Sequence, residues 1–293
     1  MRLRAAGTLV CVCALLAGCH GGGKPRLVIG SKNFTEQIVL AELLAQHIEA
    51  RTGIAVERKV NLGGTLVCHQ ALRAGQIDLY PEYTGTALTA VLGEKPGGDS
   101  ATVYGRVKTG YAERFGLEVT EPLGFNNTFA MVVRGEDARR EHLRAISEIA
   151  PLAQHWRAGV GYEFLERPDG YRGWAETYHL RFSGEPHVMD LGLIYRALKE
   201  KQVDIVAGNS TDGLIDALDL VALEDDRHYF PPYDAVPIVR RAALERVPAL
   251  RAALAELAGR ISEAEMRRMN YAVDGEHRDL VDVVREFRRT KGL

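Results

Sequence analysis

The sequence predicts an α/β protein of two similar lobes, finished by a helical C-terminal segment. Three features carry this. From Leu27 to Tyr80, strand-like and helix-like segments alternate in a β-α-β-α-β rhythm, the mark of a sheet with parallel strand pairs. A phrase then recurs: ALRAGQID at Ala71–Asp78 and ALKEKQVD at Ala197–Asp204, each reading as a helix end that runs into a strand. Finally, Ala242–Arg289 spaces leucines and valines helically among many charges that fit a solvated face.

Taken in order, Leu27-Val28-Ile29 is a short apolar strand ending at Gly30. Asn33, with Glu36 three residues on, is a candidate helix cap. Ile38, Ala41, Leu44, Ala45 and Ile48 recur at helical spacing, and Gly53 closes that helix. Val56–Val60 reads as the second strand. Gly63-Gly64-Thr65 opens a helix that ends near Gly75, and Ile77–Tyr80 is the next strand. KPGGDS, Lys95–Ser100, is a surface loop. Strands are expected at Phe129–Val133 and Gly159–Phe164, with a helix near Ile146–Trp156 between them.

The N-terminus reads as a secretory leader. Arg2 and Arg4 precede an apolar run, Leu9–Leu16, and then Leu16-Ala17-Gly18-Cys19. That last group resembles a bacterial lipobox, which implies cleavage after residue 18 and lipidation of Cys19. Residues 19–26, with Gly21-Gly22-Gly23, read as a flexible tether. The run is too short to span a membrane. The expected location is extracytoplasmic, anchored by lipid to a bacterial membrane. The formal net charge of -2 becomes -4 once Arg2 and Arg4 leave with the leader, which argues against a nucleic-acid partner. With Cys19 lipidated, Cys68 has no partner, so no disulfide is expected. Cys68 reads as a small buried apolar residue.

Two α/β lobes imply a cleft, and in open α/β sheets ligands collect outside the carboxyl ends of strands. Five residues after the repeated aspartates stand Tyr83 and Asn209. Each leads into a turn and a new helix, through Thr84-Gly85-Thr86 in one copy and Ser210-Thr211-Asp212-Gly213 in the other.

Five stretches together resemble one family: GSKNFTEQ (Gly30–Gln37), DLYPEYTGTAL (Asp78–Leu88), FNNTFA (Phe125–Ala130), STDG (Ser210–Gly213) and FPPYDAVP (Phe230–Pro237). The chain is similar, from about Leu27 to its end, to the osmoprotectant-binding proteins of ABC importers, which capture glycine betaine, choline or carnitine. The resemblance implies a two-lobed periplasmic-binding-protein fold with two crossovers that act as a hinge, near Asn126–Thr128 and Pro231–Asp234. Lobe one is then residues 27–128 plus 235–293, and lobe two is 129–234. It also implies a monomer without cofactor, docking on a permease and its ATPase.

A trimethylammonium group cannot donate a hydrogen bond, so a protein holds it on the negative faces of aromatic rings, at about 0.5–2 kcal/mol per contact. A ligand carboxylate calls for an arginine fork, a lysine or a hydroxyl. By resemblance, Tyr83, Phe129 and Tyr229 are cage walls, with Tyr233 able to join them. Lys32, Thr86 and Arg167 are the anion clamp, and Asn127 shapes the pocket beside the hinge. Asn209 replaces a ring that is usually tyrosine. It leaves the cage one wall short and suits a larger or more polar ligand such as ergothioneine.

Two rival classes are an enzyme and an extracellular sensor using the same cleft. Cys68-His69 is the one pair that suggests nucleophilic chemistry. Adjacent helical residues diverge by about 100°, however, so they form no dyad on their own. No HExxH, CxxC, GxSxG or P-loop follows the leader.

Overall fold

A computed structural model describes residues 26–293. The expected leader, Cys19 and most of the tether lie outside the described residues. Lobe one begins with β1 (Arg26–Gly30), α1 (Thr35–Thr52), β2 (Ala55–Lys59), α2 (Thr65–Arg73) and β3 (Leu79–Tyr83). The chain enters α3 (Thr84–Thr86) without a loop and goes on through a π-turn, α4 (Ser100–Phe115) and β4 (Leu117–Val119). It then crosses to lobe two: β5 (Phe129–Arg134), α5 (Gly135–Glu141), β6 (Ala158–Val160), α6 (Tyr162–Glu166), α7 (Tyr171–Thr177), β7 (His187–Val188), α8 (Ile194–Lys199), β8 (Ile205–Asn209), α9 (Leu214–Ala217) and β9 (Leu220–Leu223). A second crossing returns it to β10 (Ala235–Arg240) and the helices α10 (Arg241–Arg246), α11 (Ala249–Ala255), α12 (Glu263–Asp274) and α13 (Leu280–Lys291).

The two sheets share one plan. Lobe one orders its strands β2-β1-β3-β10-β4, and lobe two β7-β6-β8-β5-β9. In each, the first three strands pair in parallel, and the strand that arrives by crossover lies antiparallel between the last two. The repeated phrase occupies the same joint in both. The backbone N–H of Asp78 donates to Val28 O and its carboxylate accepts from Val28 N, while Asp204 makes the same exchange with Arg157.

Several boundaries differ from the sequence reading, each for a local reason. β3 runs three residues past Tyr80 because β10 pairs with it as far as Tyr83, with Pro81 and Pro237 opposite each other in the ladder. The strand expected over Gly159–Phe164 stops at Val160, and α6 begins after Gly161. The helix expected near Ile146–Trp156 is two short 3₁₀ turns, Ile146–Ile149 and Ala153–His155, with Pro151 between them. Asn33 caps nothing: the N-cap of α1 is Phe34, without a side-chain bond. Helix α1 is buried almost all round, under α11, α12 and α13, which explains the apolar spacing of the C-terminal segment.

Candidate functional site

The crossovers run side by side. Asn127 N donates to Tyr233 O at 3.0 Å, and the Asn126 side-chain oxygen accepts from Tyr233 N at 2.5 Å. Beside them, between the sheets, lies a cavity of about 650 Å³. Tyr83 reaches it from the end of β3 and Phe129 from the start of β5. Tyr233 reaches it from the second crossover. Asn209, at the end of β8, is the direct cross-strand partner of Phe129.

Abrupt passage from β3 into α3 is what presents this corner of the cavity. It needs Gly85, where an added Cβ would stand 2.6 Å from the Tyr233 ring and 2.7 Å from Pro232 O. Thr86 follows one residue later on the same turn and also lines the cavity.

Cations already lie over the rings. Lys32 Nζ sits 4.9 Å from the Tyr83 centroid, and the Arg167 guanidinium lies 5.0 Å from Phe129 and 5.7 Å from Tyr233. Both are paired within the protein. Lys32 Nζ donates to Glu82 Oε1 at 2.5 Å and to Thr65 Oγ1 at 3.2 Å. Arg167 forks onto Asp169 at 2.9 and 2.5 Å, and its third nitrogen donates to Thr86 Oγ1 at 2.8 Å. Burial works against the Arg167 charge, but the Asp169 carboxylate outweighs it and holds the guanidinium above its usual pKa. The residues expected to meet a ligand anion are thus gathered at the cavity with carboxylates already on two of them.

Tyr229 stands apart from this lining. Its ring packs at 5.0 Å on Phe230 and its hydroxyl donates to Gly170 O at 3.3 Å, inside lobe two. Tyr233 lines the cavity instead. Its hydroxyl donates to Asp169 at 2.6 Å, and its ring meets Phe129 edge-on at 5.7 Å.

Sequence reasoning missed Glu36. Read as a capping residue, it is instead a buried acceptor for Tyr83 Oη at 2.6 Å, Asn127 Nδ2 at 2.8 Å, Thr211 Oγ1 at 2.5 Å and Asn270 Nδ2 at 2.8 Å. Burial raises its pKa against the pull of those four donors. A carboxylate in the first turn of a helix is ordinarily a dipole partner, so its sequence position carried no other signal. Phe34, Glu163 and Phe164 also line the cavity.

Cys68 and His69 are both buried, and neither lines the cavity. Burial pushes the thiol up to about 12 and the imidazole down to about 4. His69 is packed edge-on by Tyr111 and Phe115. Both side chains are part of the packed interior of lobe one. Among the described residues, no cluster of three His, Cys, Asp or Glu is placed to hold a metal. None of their helices is long and apolar enough to cross a membrane.

The sequence profile of the substrate binding domain of ABC-type glycine betaine transport systems matches residues 25–290. The chain belongs to that family. It is 37% identical over 274 residues to the carnitine transport binding protein OpuCC of Listeria monocytogenes, covering 93% of this chain and 89% of that one. It is 31% identical to EgtU of Helicobacter pylori, an ergothioneine transport permease and binding protein, over 91% of this chain and 48% of that protein. A crystal structure described as a glycine betaine/carnitine/choline ABC transporter superposes with a TM-score of 0.76 at 32% identity, covering 91% of this chain and 98% of that one. The two-lobed, double-crossover architecture is therefore that of a family of transport binding proteins, not of enzymes.

Proposed function

We propose that this family member is an extracytoplasmic, lipid-anchored solute-binding protein. It captures a quaternary ammonium compatible solute between its lobes and delivers it to an ABC permease. The observation that carries the reading is the convergence of Tyr83, Phe129 and Tyr233 on one interlobe cavity. Rings from a strand end in each lobe and from the crossover present π-faces where cationic side chains already settle. The cavity is larger than a compact betaine needs and falls within the range of drug-sized ligands. With Asn209 in its wall, it supports a second reading, a bulkier betaine with a polar arm such as ergothioneine. Titration calorimetry with glycine betaine, proline betaine, choline, carnitine and ergothioneine tests both. Saturable binding of one of the first four supports the first reading, binding of ergothioneine alone supports the second, and silence across the panel rejects both.

A further inference from the structure

The family reading leads one to expect uncompensated positive charge where a ligand carboxylate would sit. The cavity offers none. Its two lining cations, Lys32 and Arg167, are neutralised by Glu82 and Asp169, both fully buried. Three more carboxylates, Glu163, Glu166 and Asp190, line the same space. An anion could still turn to the start of α2, where free backbone N–H groups lie beside Thr65, whose hydroxyl accepts from Lys32. That spot is occupied. Glu163, from α6 in the opposite lobe, accepts the Thr65 N–H on one carboxylate oxygen, and its other oxygen lies 3.4 Å from the Thr65 hydroxyl.

Gly64 is shaped for this contact. Its φ of -79° suits any residue, so the backbone does not require glycine. An added Cβ, however, would fall on the Glu163 carboxylate, 2.9 Å from Cδ. A ligand carboxylate that sought this helix end would have to displace Glu163 and confront a surplus of negative charge. A ligand that is only a cation leaves Glu163 in place and is attracted by it.

We propose that Glu163 selects ligands by charge, favouring quaternary ammonium compounds without an acid group over zwitterionic betaines of similar size. The inference rests on the quaternary ammonium reading above. It makes Glu163 a specificity-determining residue that also bridges the lobes.

Choline and glycine betaine differ chiefly in an alcohol against a carboxylate, and tetramethylammonium probes the cage alone. Calorimetry of the full-length protein with all three should show choline binding at least tenfold more tightly than glycine betaine. Glu163→Gln should shrink that ratio at least fivefold, weakening choline and tightening glycine betaine. Gly64→Ala, which dislodges the carboxylate without removing it, should move the ratio in the same direction. Tetramethylammonium binding together with a wild-type preference for glycine betaine, or a ratio unmoved by both variants, overturns charge selection while leaving the cage intact. If none of the three probes binds, the quaternary ammonium reading fails and this inference falls with it.

Discussion

At the scale of single residues, Asn209 is the most informative position in the cavity wall. It faces Phe129 across the β5–β8 pairing, and its amide N–H donates to Asp212 at 3.2 Å. Its side chain makes only a long 3.5 Å contact with the same carboxylate. A ring there would add a further aromatic face beside Phe129 to the proposed site. Asn209→Tyr should tighten choline binding by about three- to tenfold, the worth of one further cation–π contact. Calorimetry reads this directly, and weaker binding would show that the amide itself holds the ligand. Asp212 behind it carries a pH signature. Burial, reinforced by the charge of Glu36, pushes its carboxyl up to about 7, although the Tyr195 hydroxyl and the Asn209 amide pull the other way. A carboxyl raised in the folded state binds its proton more tightly there than in the unfolded chain. Its contribution to stability is therefore greatest below pH 4 and is lost as pH rises from about 4 to about 7. Asp212→Asn should flatten urea-derived stability across that window, removing a slope on the order of 1 kcal/mol per pH unit. An unchanged slope would place the titration elsewhere.

At the scale of elements, the repeated phrase was the most legible feature of the chain. Matching helix-to-strand joints fold into matching places because the aspartate in each closes the same backbone exchange with the neighbouring strand. The turn just before it shows where the copies diverge. Gly75 has φ 72° and its counterpart Lys201 has φ 61°, so a lysine holds a left-handed conformation that glycine fills at less cost. Lys201→Gly should stabilise the protein by about 0.5–1 kcal/mol, net of the exposed Glu136 ion pair that it removes. Chemical denaturation checks this, and a loss of stability would mean that the ion pair outweighs the backbone. Other elements were less legible where the cause lay far away in sequence. The extension of β3 depended on its pairing with β10, where Pro237, 156 positions after Pro81, stands opposite it. The burial of Glu36 depended on Asn127, Thr211 and Asn270, which no local pattern joins to it. Tyr229 and Tyr233 illustrate the same limit within one motif. Both are aromatic and near the crossover, and only the packing of Phe230 and Gly170 turns one inward and leaves the other at the cavity.

At the scale of the whole molecule, two sets of polar contacts join the lobes, and they differ in position. Glu36 in lobe one binds Asn127 in the first crossover and Thr211 in lobe two, so it pins the molecule on the side where the chain crosses. Glu163 to Thr65 and Arg167 to Thr86 instead span the cleft itself, and exposed Leu66, Val67 and Tyr162 flank the first of these pairs. The proposed capture of a solute calls for cleft contacts that release while the crossover contacts hold. A ligand that touches both lobes then biases the equilibrium toward closure by its differential contacts. Local opening exposes those amides whose bonds break, so hydrogen exchange separates the two sets. The Thr65 amide should exchange measurably more slowly when choline saturates the protein. That added protection should disappear in Glu163→Ala, which removes its acceptor. The Asn127 amide, bonded to Tyr233 O within the paired crossovers, should exchange at the same rate with and without ligand. Equal ligand-induced protection at Thr65 and Asn127 would mean that the lobes rigidify as one body rather than swinging about the crossovers.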